Sequence, residues 1–574
     1  MVLLPVLFGL LHVATAPAGL YWLDSGDFTT AAALLGVPHQ TGFPLYTMVG
    51  HLFCRLPFGS IAFRMGLYSA VLSLVVSWVW NLLLYRHAFR DRQSARVVSA
   101  VSLCAFWCTD VAALSARVPD VYLLQLLLVL CVLLAITHIA NLRSVSSFAV
   151  LGFLIGLGIS NHAEFRLFAP LFLAVALVAL WPKTRTTRRV AALAAFGVAA
   201  ILGLAPYAQT LIAAGSDNFH VWGPADTLPR FWSYFWGDRI REVYSEQFLT
   251  NDPLYFSRAA SQLTAQLWQD FGWLLALVPA GLAMLPRRTN VLLLSITITD
   301  LGYAALLNPM GLVDDQNGLV AFAVISALIG CGGLAVLQLV AYRIPRNLPR
   351  RPISAALAAS LAFACLLNGT VSRLDMHPDR GADDIVYAIA RQAPSDSLVL
   401  LDSEITGMAN LYYSGVAALR PDTQTLSRVD FFCSPLLFRR NAQGGFPLAS
   451  NSAIQSWETD SDYVEYARFR ERLRSAFEWA WAERRTVLWE GGTTSDSNGL
   501  WLNLRLGYPL HRLVATASDE VTPPPIAAIE ALESPDLLRD QYGRTWLSLW
   551  WNYTGTFYFR LGRLEPAVGA FNEA

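Results

Sequence analysis

Eleven mostly apolar stretches separated by short charged loops constrain this chain more than any other feature. A helix needs about 20 mostly apolar residues to cross the hydrocarbon core of a bilayer. Runs of that kind lie approximately at 2–23, 61–85, 97–116, 121–141, 146–161, 165–182, 190–213, 268–285, 290–308, 318–342 and 353–369. The run 44–57 is apolar but too short to span, and prolines bound it, so it reads as a re-entrant or interfacial piece. Charged residues make up 15% of the chain, against roughly 25% in an ordinary soluble domain. The deficit ends near Gly369, after which the composition is that of a soluble region. The net charge is zero, which gives no basic field for nucleic acid. The cysteines show neither metal-ligand spacing nor a disulfide framework.

Loop charges orient the spans. One alternate set of loops carries Arg86, Arg90, Arg92, Arg96, Arg143, Lys183, Arg185, Arg188, Arg189, Arg287, Arg288, Arg343, Arg346, Arg350 and Arg351, against the single acid Asp91. The other set carries Asp24, Asp27, Asp120, Glu164, Asp314 and Asp315. Basic loops stay cytoplasmic. The expectation is therefore a multi-pass protein of the inner (plasma) membrane, with a cytoplasmic N-terminus and an extracytoplasmic C-terminal region. The first span lacks the basic n-region of a cleavable signal. The organisation reads as a transmembrane domain over 1–369, an extracytoplasmic α/β region over 370–540 and a helical hairpin over 541–574. The transmembrane domain has a first external loop at 24–60 and a long, aromatic external loop at 214–267. In the soluble part, 397–402 reads as a buried strand and 459–487 as an amphipathic helix.

Chemistry concentrates after the first span, in Tyr21-Trp22-Leu23-Asp24-Ser25-Gly26-Asp27-Phe28 and Gly36-Val37-Pro38-His39-Gln40-Thr41-Gly42-Phe43-Pro44-Leu45-Tyr46. Two carboxylates three residues apart share a face on a helical turn. Acids beside a membrane are costly without a partner or a task. Helix capping alone would also account for them. This stretch resembles the D-S-G-E…G-V-x-H-P-P-G-Y-P-L-Y signature of a bacterial membrane family related to the eukaryotic transmembrane protein O-mannosyltransferases. That family belongs to the GT-C superfamily of multi-helix glycosyltransferases. Asp120-Val121-Tyr122, Gly156-Leu157-Gly158-Ile159-Ser160-Asn161-His162, Trp222-Gly223, Arg241 through Tyr244 and Arg420-Pro421-Asp422 resemble further family motifs. Asp27 stands where the family has Glu, and Gln40-Thr41 where it has Pro-Pro.

The resemblance implies a GT-C-like fold of about eleven helices. It also implies transfer of mannose or another hexose from a polyprenyl-phosphate donor to a protein hydroxyl or a glycan on the extracytoplasmic face. Asp27 is the first choice for general base and Asp24 the second. His39, Asp120, His162, Trp222, Arg239, Arg241 and Tyr244 are the expected substrate contacts. Arg117, Arg166, Arg239 and Arg241 are the cations available for a donor phosphate. A divalent metal is compatible with the acids, with no ligand set assigned. The implied partners are the lipid-linked donor, the acceptor and membrane lipid. Trp551, Gly555, Tyr558, Gly562, Ala567, Phe571 and Ala574 fall at the spacing of a tetratricopeptide repeat, a surface for a protein partner. Two other classes fit a polytopic chain: a secondary transporter or lipid flippase, and a non-catalytic assembly protein using the repeat as a platform.

Overall fold

The protein's structure, a computed structural model, describes residues 3–22, 24–85, 91–142, 144–180, 186–218, 220–223, 225–243, 253–308, 316–343, 359–365, 381–401, 403–427, 480, 482–483, 485–490, 504–505, 511–513, 541–560 and 562–574. In hydrocarbon a chain must satisfy every backbone N–H and C=O internally, and the apolar runs accordingly fold as helices. They are α1 (Leu3–Thr15), α2 (Ser25–Leu34), α3 (Pro44–Cys54), α4 (Ile61–Leu83), α5 (Arg92–Trp107), α6 (Asp110–Ser115), α7 (Tyr122–Leu142), α8 (Val145–Asn161), α9 (Phe165–Leu180), α10 (Thr186–Gly203), α11 (Tyr207–Ala214), α12 (Leu228–Trp236), α13 (Asp238–Val243), α14 (Pro253–Phe271), α15 (Val278–Met284), α16 (Arg287–Gly302) and α17 (Leu319–Arg343). Among the described residues, six helical segments are long and apolar enough to cross a membrane, and three shorter helices are also apolar. This is a multi-pass membrane protein.

Several expected spans are broken, each for a local reason. The first helix stops at Thr15, ahead of Pro17 and Gly19, so 2–23 is not one helix. The third divides into α5 and α6, where the Thr109 side chain accepts from the Ala112 N–H and caps a new helix. A turn containing Pro206 separates α10 from α11. The eighth is α14, a 3₁₀ stretch Gly272–Leu277 and α15. The short run after Pro44 is the 11-residue α3, packed against α2, α4 and α8. Of the last expected span, only 359–365 is described, and it is helical.

Packing separates lipid-facing from inward-facing surfaces. α10 turns Val190, Val198, Ile201 and Leu202 outward, while its other side crosses α8. A side chain at Gly156 would collide with the Ala200 carbonyl at 2.2 Å, and one at Gly203 with the Phe153 carbonyl at 2.4 Å. Small residues at such a crossing let the backbones meet. The bundle core holds Phe148, Phe165, Phe168, Phe172, Phe271 and Phe322.

The soluble part contains α18 (Gly381–Gln392), β1 (Leu398–Leu401), α19 (Glu404–Gly415), β2 (Gln424–Ser427), β3 (Val487–Trp489), β4 (Leu504–Arg505), β5 (His511–Leu513), α20 (Gln541–Arg560) and α21 (Leu564–Glu573). The sheet order is β2-β1-β3-β5-β4. β1 pairs in parallel with β2 and β3, and β5 lies antiparallel to β3 and β4. Leu398 through Leu401 are fully buried in β1, between β2 and β3, as a continuous apolar strand requires. The amphipathic helix expected over 459–487 lies almost wholly outside the described residues. α20 and α21 form a hairpin whose Trp546, Trp550 and Trp551 pack into the same core as Val399, Leu401 and Ile385. Trp546 Nε1 also donates to the buried Glu490 at 2.9 Å.

This soluble part sits on the first loop of the bundle. Trp22 belongs to the core beneath the sheet. The Leu20 N–H donates to Asp383 of α18 at 3.1 Å. α19 packs along α2 so closely that a side chain at Gly26 would lie 2.1 Å from the Met408 carbonyl. The glycine between the two acids is therefore a contact requirement, not a spacer.

Candidate active site

Asp27 lies in the first turn of α2 and is completely buried. Its carboxylate accepts four N–H donors: His39 N at 3.0 Å and His39 Nδ1 at 2.7 Å on Oδ2, His220 Nε2 at 2.5 Å and Trp222 Nε1 at 2.7 Å on Oδ1. Residues 220 and 222 come from the long loop. A parallel bridge between Val37 and Val221 brings them there, with Val37 N–H donating to the His220 carbonyl and Trp222 N–H to the Val37 carbonyl. Alternation along this extended piece points the 220 and 222 side chains to one side. The end of α2 is held as well: Gln209 and Asn218 side-chain amides donate to the carbonyls of Leu34, Leu35 and Gly36. Tyr234 OH reaches the Pro38 and His39 carbonyls from α12.

The acids differ sharply. Burial alone would raise the Asp27 carboxyl, but hydrogen bonds from His220 and His39 outweigh it and hold it well below the usual carboxylate range. Asp24 is 46% exposed, and its Oδ2 stands 3.9 Å from His39 Nε2. Desolvation at the mouth of the site, with the charge of Asp27, raises Asp24 against the pull of His39. For His39, burial favours the neutral ring. Asp24, Asp27 and Asp120 outweigh it and raise the imidazole to about 9. At neutral pH the site is thus an imidazolium held between a saturated carboxylate and an accessible one.

Aromatic rings extend the site along the bundle. The His39 ring lies 5.1 Å from Phe43, and Phe43 stacks on His162 at 5.7 Å and 18°. Phe43 has a positive φ of 45°, a strained position for a bulky residue. Asp120, just ahead of α7, accepts from the Val121 N–H at 2.6 Å and Gln316 Nε2 at 2.9 Å.

The structure thus brings Asp24, Asp27, His39, Asp120, His162 and Trp222 to one end of the bundle. Arg241 does not join them; it pairs with Asp238 on the exposed surface of α13. Tyr244 and the side chain of Arg239 lie outside the described residues. His220, which sequence reasoning did not single out, holds Asp27 as closely as His39 does; its only signal was its place two residues before Trp222. Among the described residues, no three His, Cys, Asp or Glu side chains are grouped to hold a metal ion. N–H donors occupy both oxygens of Asp27, and Asp120 likewise accepts on both of its oxygens, from Val121 and Gln316.

Residues 24–188 match the family described as the N-terminal domain of protein O-mannosyl-transferase TMEM260. The mouse protein O-mannosyl-transferase TMEM260 is 26% identical over 437 residues, 72% of this chain; the chain spans 60% of that protein's length. The crystal structure of ArnT from Cupriavidus metallidurans bound to undecaprenyl phosphate is 14% identical, with a TM-score of 0.50, over 90% of this chain and 99% of that one.

Proposed function

Taking the chain as a relative of the protein O-mannosyltransferase family with the GT-C fold of ArnT, we propose that it is a membrane glycosyltransferase. It moves a hexose from a polyprenyl-phosphate donor to a protein hydroxyl or glycan acceptor. The observation that carries this reading is the division of labour between the two acids. The four-donor clamp on Asp27 fixes the loop. It leaves the half-exposed Asp24 carboxylate at the mouth, beside a cationic His39.

The acceptor oxygen attacks the anomeric carbon, the carbon–oxygen bond to phosphate breaks, and polyprenyl phosphate leaves with the electron pair. Asp24 takes the acceptor proton. A base works best when its pKa approaches the working pH, and the raised Asp24 fits that task better than the depressed Asp27. Asp27 holds His39, His220 and Trp222 in register. His39 is placed to offset the charge of Asp24 and the departing phosphate. The acceptor approaches beneath the soluble region, whose α19 roofs α2. We place this end of the bundle outside the cytoplasm, with the N-terminus inside, because the loops rich in Arg and Lys belong to the opposite end. The α20–α21 hairpin acts first as a buttress of the sheet, through Trp546 and Glu490.

The test is sugar transfer in nanodiscs from polyprenyl-phosphate mannose to a Ser/Thr peptide. Donor-dependent incorporation that requires Asp24 is the expected result. Absence of transfer from any polyprenyl-phosphate hexose to peptide or glycan would contradict it.

A further inference from the structure

Arg166 stands out because, among the described residues, no carboxylate pairs with it and two of its N–H groups are buried without an acceptor. It lies in the first turn of α9, four residues after His162. Its guanidinium carbon is 3.8 Å from the centre of the Phe235 ring and 5.2 Å from that of Trp236. Nε and Nη2 are closed to solvent and have no hydrogen-bond partner. Among the described residues, no carboxylate lies within ion-pair distance of it. The nearest acid in sequence, Glu164, is turned to Gln125 and Asp300. Cation–π contact and the neighbouring Tyr207 hydroxyl offset part of the desolvation, yet the closed Nε–H and Nη2–H groups are left without an acceptor, which an anion would supply.

The surroundings indicate which anion. Phe235 and Trp236 belong to α12, which buries Phe231, Tyr234 and Phe235 and exposes Leu228, Trp232 and Trp236. Such a face suits the level of lipid headgroups. A guanidinium fork matches phosphate in two-point geometry. The position is also tied to the catalytic loop. His162 feels the charges of both Arg166 and His39, Phe43 lies between the His39 and His162 rings, and α12 ends at Gly237 against Thr41. Arg117, another cation considered for this task, instead donates from the turn after α6 back to the Ala113 carbonyl.

We propose that Arg166, seated on Phe235 and Trp236, binds the phosphate of the lipid-linked donor and sets its distance from Asp24. This rests on the transfer reading above and assigns a residue to its donor. The experiment measures binding of undecaprenyl phosphate to the full chain in phosphatidylcholine nanodiscs. Arg166→Gln weakens binding about ten- to a hundred-fold, the weight of a lost charge-assisted contact. Arg166→Lys restores part of it, keeping the charge but losing the fork. Thermal unfolding separates binding from folding: apo Arg166→Gln melts at or above the wild-type temperature, because an uncompensated charge is gone, and loses the stabilisation that undecaprenyl phosphate gives the wild type. Wild-type affinity in Arg166→Gln overturns the proposal. So does equal competition by phosphatidylglycerol, which would mark a general anionic-lipid site, or by millimolar inorganic phosphate, which would mark a free-anion site. If Arg166→Gln binds normally while transfer still needs Asp24, this assignment falls and the transfer reading stands. If the wild type binds undecaprenyl phosphate through Arg166 yet transfers no sugar, the reverse holds.

Discussion

Two buried acids at the same end of the bundle meet opposite fates. Asp27 is surrounded by N–H donors and remains ionised. Glu164 is as deeply buried but faces another acid, Asp300, and accepts from Gln125 Nε2. Burial pushes Glu164 up to about 7, against the hydrogen bonds of Asp300 and Gln125. Burial sets the cost in both places, and the neighbours decide whether a charge is held or a proton is taken up. The first cluster is built to keep a fixed charge under the loop that follows α2, and the second to avoid one.

That contrast can be broken by substitution. The largest stability effect belongs to Asp27→Asn, which sets an NH₂ group against surrounding donors and leaves His39 without its counter-charge. Unpairing a buried network of this kind costs about 3–5 kcal/mol, measured as lowered thermal stability and faster hydrogen exchange over 24–43. Next comes pH. His39 is raised in the folded protein to about 9 from 6.5, so its contribution is fully present below about 6.5 and is lost as pH rises through 9. Thermal stability should fall over that window, and less so in His39→Gln. At the acid end, the depressed Asp27 contributes above about 4 and is lost as pH falls below it. Trp222→Phe removes one donor from the clamp and should cost about 1–3 kcal/mol, with activity falling less than in Asp27→Asn. The smallest effect is expected from Glu164→Gln. Its amide can donate to Asp300 while its oxygen still accepts from Gln125, so stability should change by less than about 1 kcal/mol. A loss like that of Asp27→Asn would erase the distinction between the clusters.

The sequence made the local features legible and left the long-range ones hidden. Hydropathy found the helices because each is written in contiguous residues. It ran α5 into α6 and joined α14 to α15, because a Thr cap or a Gly break costs few apolar residues. Asp24, Asp27, His39 and Trp222 were visible through a compact motif and its family resemblance. His220 was not, because it reaches Asp27 only after Val37 pairs with Val221 across more than 180 residues of chain. The roof formed by α19 was equally hidden; nothing near Gly26 indicates that the Met408 carbonyl will lie against it. The motif, with Glu at the Asp27 position in the related family, put Asp27 ahead of Asp24 as the base; the donors that fill Asp27, on which our proposal of Asp24 rests, come in part from elsewhere in the chain.

The most direct measurement compares Asp24→Asn with Asp27→Asn in one transfer assay, with thermal stability and donor binding recorded for each. The account predicts that Asp24→Asn lowers kcat by about 10²–10⁴-fold, the usual weight of a general base, with stability and donor binding unchanged. Asp27→Asn should lose activity together with stability. An Asp24→Asn enzyme with wild-type kcat, beside an Asp27→Asn protein that is as stable as wild type but inactive, would contradict it and return the base to Asp27.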